Sequence, residues 1–164
     1  MPITPASIGI IFDPTNKKVL LVKRKDVPIW VLPGGGIEKN ESPLMAVKRE
    51  IMEETGLFVS IERQCAEYTP INRLAALTHV FICKVENGIL QFSEESSDIG
   101  FFSLDQLPSC LFFLHQIWIE EALSCPFLIK KPLTQITYWK VARFFLKHPI
   151  IFFKYTWTRK IKNR

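Results

Sequence analysis

Three glutamates stand close together in the chain, at a spacing that a helix would convert into one acidic face. Glu50, Glu53 and Glu54 are related by i, i+3 and i+4, so their carboxylates would project side by side. Carboxylates about 5 Å apart repel by roughly 3 kcal/mol per pair at an effective dielectric constant of about 20. Their oxygens suit Mg²⁺ or Mn²⁺, which keep bound water and bridge to substrate phosphates. The spacing fits a divalent-cation site that acts on phosphates, but Glu-rich helix surfaces are also common, so the prediction depends on the longer pattern that contains these glutamates.

A helix with clear start and stop signals would carry these glutamates. Ser42 can accept hydrogen bonds from the first-turn amides, and Pro43 is tolerated at the first helical position. Gly56 is a natural residue just beyond a helix end, so we expect a helix from about residue 43 to 55. Its core-facing stripe is predicted to consist of Leu44, Val47 and Ile51.

The glutamates belong to a longer pattern, G-x5-E-x7-R-E-U-x-E-E-x-G-U, in which U is a bulky apolar residue. The chain matches it at every position, with Gly35, Glu41, Arg49, Glu50, Ile51, Glu53, Glu54, Gly56 and Leu57. This stretch resembles the Nudix box. Asn40 stands where many family members have glycine, and asparagine is well suited to a left-handed backbone, so the loop should be preserved.

The resemblance extends beyond the box and covers roughly residues 4 to 125. Residues 30–35, Trp-Val-Leu-Pro-Gly-Gly, look like the strand and loop that precede the box in the family. Residues 98–108 look like the family's late strand, which ends in Leu-Pro. The resemblance implies an α/β/α sandwich with a mixed β-sheet.

The family's box also implies roles for individual residues. The resemblance implies that Glu41 and Arg49 hold a carboxylate in place, and Arg49 can pair either with Glu53 one turn on or with Glu41. The backbone carbonyl of Gly34 is a further metal-ligand candidate by the same resemblance. The predicted metal ligands are thus Glu50, Glu53, Glu54 and Gly34, and the predicted catalytic residues are Glu53, Glu50, Arg49 and Glu41.

The reaction implied is attack of water on one phosphorus of a nucleoside diphosphate that is linked to another group. Glu53 is our first choice as general base. An acidic loop offers alternatives, one of which could complete the metal site: Glu94, Glu95 and Asp98. A second hypothesis, a Nudix-fold module that binds a nucleotide without chemistry, is disfavoured because every box carboxylate is retained.

Substrate contacts are predicted only by residue type. Arg24 and Arg73 could bind phosphate, while Trp30 or Phe102 could stack on a base. The residues do not identify which nucleoside diphosphate derivative is cleaved.

Alternating and continuous apolar runs predict the remaining elements. Strands are expected over residues 6–12, 19–23, 29–32, 57–67, 77–85, 89–92 and 99–104, and a second helix over 111–123. The three glycines after Pro33 predict a loop, and Asn87-Gly88 predicts a hairpin turn. The mixture of strands and helices favours an α/β fold.

Length and charge divide the chain into a body and a tail. With 164 residues, of which 48% are hydrophobic, the chain can bury one core, so we expect a domain over residues 1–128 and a helical extension over 129–164. The net charge of +5 is uneven: residues 122–164 contain ten basic residues and no acid, whereas residues 1–121 contain eleven basic and sixteen acidic residues. The tail is therefore strongly basic.

The tail contains apolar residues at helical spacing, namely Trp139, Ala142, Phe145 and Leu146, followed by the apolar run 150–155. Three interpretations stay open: a helix over 134–146 that packs on the domain or on a second subunit of a homodimer, an RNA contact, or a contact with an anionic membrane surface. We favour the membrane, because aromatic residues flanked by cations suit its interface.

Four separated cysteines predict neither a disulfide framework nor a zinc site. No apolar run approaches the roughly 20 residues that span a bilayer, and no leader pattern is visible. We therefore expect a cytoplasmic protein, with the tail placing it at the membrane surface.

Overall fold

The computed structural model describes residues 4–91 and 93–147. Its elements, in chain order, are β1 (Ala6–Ile11), β2 (Lys18–Arg24), β3 (Trp30–Val31), β4 (Gly34–Gly36), α1 (Pro43–Thr55), β5 (Leu57–Thr69), β6 (Thr78–Gly88), β7 (Ser96–Ser103), α2 (Phe113–Ser124), β8 (Ile129–Pro132) and α3 (Tyr138–Lys147). Among these residues, no helix has the length and hydropathy of a membrane-spanning segment.

The strands form two sheets. The larger has the order β4-β1-β6-β5-β8, in which β1 runs parallel to β6 and β5 runs parallel to β8, while the other pairs are antiparallel. The smaller sheet, β3-β2-β7, is antiparallel. The predicted α/β class with a mixed sheet is confirmed.

Helices α1 and α2 pack on opposite faces of the strands. Because alternate residues of a strand point to opposite sides, neighbouring strand residues contact different helices. On β1 and β2, Ile10 and Leu21 join the apolar cluster of α2, whereas Ile11 and Leu20 join that of α1. The larger cluster contains Leu114, Trp118 and Ile119 of α2. This arrangement is the predicted α/β/α sandwich.

Helix α1 begins and ends where its sequence predicts. The Ser42 hydroxyl accepts a hydrogen bond from the Met45 N–H, and Gly56 adopts a left-handed conformation with φ of 71°. Val47 and Ile51 are fully buried, as expected, but Leu44 is 48% exposed and does not belong to the core-facing stripe. Leu44 lies in the first turn of α1, and Ala46 is buried instead.

Two local predictions are wrong. Residues 34–36, expected as a loop, form the edge strand β4, which pairs antiparallel with β1 through Ala6↔Gly36 and Ile8↔Gly34. The hairpin expected at Asn87-Gly88 does not form, because β6 continues to Gly88 and pairs there with Leu57. Residues 89–91 then run towards the end of α1, where the Gln91 N–H donates to the Thr55 carbonyl, and Phe92 lies outside the described residues.

The body of the domain extends beyond residue 128. The short strand β8, which we did not predict, pairs parallel with β5 through Ala66↔Ile129 and Thr69↔Pro132. Leu133 and Ile136 are then buried in the main core. Residues 129–136 therefore pack with the domain, and the division of the chain at residue 128 stays a prediction. The run 150–155 lies outside the described residues.

The four cysteines are free thiols. Cys65 and Cys83 are buried, and burial raises their pKa values to about 11 and about 12. They are therefore protonated packing residues at neutral pH.

Candidate active site

The acidic face of α1 lines a cavity of about 370 Å³ together with the segment that leads into β7. The lining residues are Glu50, Glu53, Glu54, Ser93, Glu94 and Glu95. Five carboxylates from two separate segments therefore meet at one cavity. The three box glutamates share a face of α1, as the spacing predicted.

Glu54 is fixed by the edge strand beside it. One of its carboxylate oxygens accepts a 2.9 Å hydrogen bond from the Gly34 N–H. Burial raises the pKa of Glu54 to about 7, and the neighbouring Glu50 adds to this shift, while the Gly34 N–H and Arg24 oppose it. Burial likewise raises the pKa of Glu50. Negative charge is therefore costly here in the absence of a cation.

Arg49 connects the first glutamate of the box to the acidic face. Its guanidinium donates to both carboxylate oxygens of Glu41, at 2.9 and 3.0 Å, and to Glu50 and Glu53 at 2.9 and 3.2 Å. It also donates to the Gly36 carbonyl at 3.0 Å. Both predicted pairings of Arg49, with Glu41 and with Glu53, thus occur together. Whether this orientation supports catalysis stays a prediction.

Two glycines of β4 permit the close approach of the strand to its neighbours. A β-carbon on Gly35 would lie 2.6 Å from the Glu50 carboxylate carbon, and one on Gly34 would lie 2.3 Å from the Ser7 carbonyl oxygen. Gly34 also has φ of 143°, which other residues rarely adopt. Any side chain at these positions would displace the carboxylates or the strand.

The acidic loop is attached to the turn between β2 and β3. The Lys25 N–H donates to the Glu95 carbonyl at 2.9 Å, and its ammonium donates to the Glu94 carbonyl at 3.3 Å. Asp98 does not line the cavity: it lies on β7, opposite Lys23, and is exposed. Of the three predicted additional acids, only Glu94 and Glu95 therefore reach the site.

Arg24 lies beside the acidic cavity, close enough for its charge to act on Glu54 and Glu95. Its side chain is 49% exposed and donates two hydrogen bonds, of 2.9 and 2.7 Å, to Asp26. The sequence did not reveal Asp26 as its partner. A cation held at this position is suited to phosphate.

The other predicted substrate contacts lie elsewhere. Trp30 is 6% exposed and packs edge to face on Phe102, with ring centroids 4.5 Å apart, so packing accounts for both rings. Arg73 is exposed in the loop between β5 and β6. Stacking by Trp30 would require its ring to leave the core, and the roles of these residues stay predictions.

The donor set of the cavity fits a divalent cation. Its charged atoms are all carboxylate oxygens, and both Glu50 and Glu54 have raised pKa values that a nearby cation would lower. In residues 4–91 and 93–147, no three Asp, Glu, His or Cys side chains already converge on one point.

Comparison with known proteins identifies this arrangement. A profile of the NUDIX domain matches residues 3–123, which is most of the chain. The chain belongs to the NUDIX family. It is 30% identical over 124 residues to a MutT-like protein of Streptomyces ambofaciens, covering 75% of this chain and 79% of the relative. It is 36% identical over 112 residues to an ADP-ribose pyrophosphatase of Methanocaldococcus jannaschii, covering 65% and 66%.

Solved structures with a similar fold agree with the assignment of this chain to the Nudix hydrolases. An ADP-ribose pyrophosphatase of Streptococcus suis superposes with a TM-score of 0.62 and 27% identity, over 78% of this chain and 97% of that one. A UDP-X diphosphatase gives a TM-score of 0.63 and 27% identity, over 78% and 67%. An RNA pyrophosphohydrolase of Psychrobacter is 45% identical, but only over 53 residues, 32% of this chain and 31% of the relative.

Proposed function

We propose that this Nudix hydrolase cleaves the phosphoanhydride bond of a nucleoside diphosphate linked to a sugar-like group, with ADP-ribose as the first compound to test. The observation that carries the proposal is the meeting of five carboxylates at one cavity, with the cation of Arg24 beside it. Relatives that match along most of their length include an ADP-ribose pyrophosphatase and a UDP-X diphosphatase, which support this substrate class.

We infer that Glu50, Glu53 and Glu54 hold Mg²⁺ or Mn²⁺, with the Gly34 carbonyl as a further ligand and Glu94 or Glu95 as an additional acid. When bound, such ions neutralise phosphate oxygens and lower the pKa of the attacking water. The buried, charge-loaded environment of Glu54 supports this assignment.

The chain's own residues supply the base and the positioning. Water forms a new bond to one phosphorus, its proton passes to a carboxylate, and the bond from phosphorus to the bridging oxygen breaks. We propose Glu53 as this base, because its side chain is 52% exposed at the cavity and is held by Arg49. Glu94 and Glu95 are the alternatives.

Arg24 and Arg49 act differently in this proposal. Arg49 is occupied by three carboxylates and a carbonyl, so it positions the acids rather than the substrate. The Arg24 side chain donates to Asp26 and is half exposed. Its guanidinium is placed to bind a substrate phosphate while opposing the negative charge of Glu54 and Glu95.

A substrate panel tests the proposal. The full chain should release nucleoside monophosphate from ADP-ribose or from a UDP-sugar in the presence of Mg²⁺ or Mn²⁺, with no release in excess chelator. Nucleoside triphosphates and 5′-triphosphorylated RNA complete the panel, because an RNA pyrophosphohydrolase is also similar to this chain, over 53 residues. Absence of cleavage across the panel, with tight nucleotide binding, would favour the non-catalytic module instead.

A further inference from the structure

Helix α3 carries an exposed apolar stripe that its packing on the domain does not use. Tyr138, Trp139 and Leu146 are 63%, 75% and 77% exposed, and Ala142 is also exposed. These positions share one side of a helix, since they recur at intervals of three and four residues. Three large apolar side chains in one exposed stripe indicate a binding surface.

The opposite side of α3 is attached to the body. The Phe144 ring lies 5.6 Å from that of Phe112 and 6.1 Å from that of Phe113, and Val141 packs against the main core. The segment before α3 is also held, because Ile136 is buried and its carbonyl accepts a hydrogen bond from the Asn72 side chain. The stripe is therefore a fixed face of the domain.

The basic residues beside the apolar stripe indicate which kind of partner this face binds. Lys140 and Arg143 are exposed one turn apart and lie next to the apolar stripe around the helix. The residues after α3 add five further cations and no acid, and the last acid of the whole chain is Glu121. An apolar stripe with basic flanks and aromatic residues matches an anionic lipid surface, in which rings enter the headgroup layer and cations meet lipid phosphates.

We propose that α3 docks this hydrolase on an anionic membrane surface, with Tyr138, Trp139 and Leu146 entering the interface and Lys140 and Arg143 contacting headgroups. Self-association or RNA binding would use part of the same surface, but neither accounts for it fully. A subunit contact leaves the excess cations without partners, and RNA leaves Leu146 without one. The contact requires no change in the cavity on α1.

Co-sedimentation of the full chain with lipid vesicles tests this proposal. Vesicles of phosphatidylcholine mixed with phosphatidylglycerol should bind the protein, whereas pure phosphatidylcholine should not, and high salt should weaken the binding. Two double variants should each bind at least about tenfold more weakly, since each removes two of the side chains that contact the lipid surface. These variants are Lys140→Glu with Arg143→Glu, and Trp139→Ser with Leu146→Ser.

Matched controls separate this surface from general effects. Lys18→Glu with Lys84→Glu makes the same change in net charge elsewhere, and Ile71→Ser with Ile89→Ser removes other exposed apolar side chains. Both controls should bind vesicles like the wild type. Thermal melting verifies that each variant folds. Neither the melting nor the vesicle binding requires a substrate, so both tests are independent of the proposed function.

Three results would overturn the membrane assignment. The first is absence of vesicle binding, or equal binding by the wild type and the α3 variants. The second is binding to single-stranded RNA, lost in Lys140→Glu with Arg143→Glu, without any vesicle binding. The third is a dimer that Trp139→Ser with Leu146→Ser converts to a monomer, again without vesicle binding.

Discussion

The Nδ1 atom of His115 accepts a 2.7 Å hydrogen bond from the backbone N–H of Leu32, joining α2 to the segment that leads into the glycine strand β4. Both residues are buried. Because Nδ1 is the acceptor, the proton of the neutral ring is on Nε2. Burial, aided by the charge of Arg24, lowers the pKa of His115 to about 3.

This hydrogen bond predicts a pH dependence of stability. His115 is neutral in the folded chain down to about pH 3, whereas the unfolded chain protonates it below its ordinary pKa of 6.5. Stability is therefore fully present above about pH 6.5 and is lost as the pH falls towards 3, by about 1.4 kcal/mol per pH unit from this group.

Urea unfolding of the wild type and of His115→Gln between pH 7 and pH 4 measures this effect. The stability difference between them should shrink as the pH falls, because only the wild type loses the contribution of His115. His79→Gln serves as the comparison, since burial lowers the pKa of His79 as well but its ring is partly exposed and lies beside Glu67. A difference that stays constant with pH would contradict the neutral, buried state of His115.

Glu54→Gln should reduce turnover by two orders of magnitude or more without lowering thermal stability. The amide is a poor ligand for a divalent cation, but its oxygen can still accept from the Gly34 N–H, and the substitution removes negative charge from the cavity. Initial rates and thermal melts measure the two effects. Glu86→Gln, an exposed change on β6, should keep wild-type turnover.

Arg49→Lys should recover little of the activity lost in Arg49→Ala, which we expect to fall at least about 100-fold. Lysine keeps the charge, but it cannot donate in parallel to both oxygens of Glu41 and also reach Glu50 and the Gly36 carbonyl. The measurement is kcat and KM separately, because misplaced acids should lower kcat. Near-complete rescue by lysine would show that only the charge matters.

Glu94→Gln or Glu95→Gln should lower activity, whereas Asp98→Asn should not. Glu94 and Glu95 line the cavity, and Asp98 lies on the exposed side of β7 outside it. Single-turnover rates with saturating metal distinguish the three variants. A loss confined to Asp98→Asn would mean that the loop occupies another arrangement during catalysis.

Mg²⁺ or Mn²⁺ should raise the melting temperature of the substrate-free protein. At one hundred times the dissociation constant, the stabilisation is about 2.7 kcal/mol, or roughly 5 to 10 °C for a chain of this size. Glu50→Gln combined with Glu54→Gln should abolish most of this shift, while Glu86→Gln should keep it. A shift of equal size in all three proteins would place the cation elsewhere.

Much of the site could be predicted because its determinants are local. The limits of α1 follow from Ser42, Pro43 and Gly56, and the acidic face follows from spacing within one helix. Arg24 and Glu95 could be named as candidates, but their meeting at one cavity depends on a long-range contact. Neither the Lys25 link to the acidic loop nor the pairing of Arg24 with Asp26 has a pattern in the sequence.

The two strands that were not predicted, β4 and β8, form because a neighbouring strand pairs with them. Glycine has little intrinsic preference for strands, so β4 exists because β1 offers an edge at the correct register. The same is true of β8, whose Lys-Lys-Pro stretch forms a strand only beside β5. Conversely, the turn signal of Asn87-Gly88 is overridden because Gly88 remains paired with Leu57.

The two ends of β4 are held by residues of the candidate active site, through the Gly34 N–H to Glu54 and the Gly36 carbonyl to Arg49. This limits which inactive form can be used to capture a substrate complex for crystallography. Glu54→Ala or Arg49→Ala would remove both a residue of the reaction and a hydrogen bond that holds β4. A ligand captured in such a variant could therefore be bound beside a displaced β4. Glutamine at position 54 retains an acceptor for Gly34, and it is therefore the variant in which a trapped substrate should lie against an undisturbed strand.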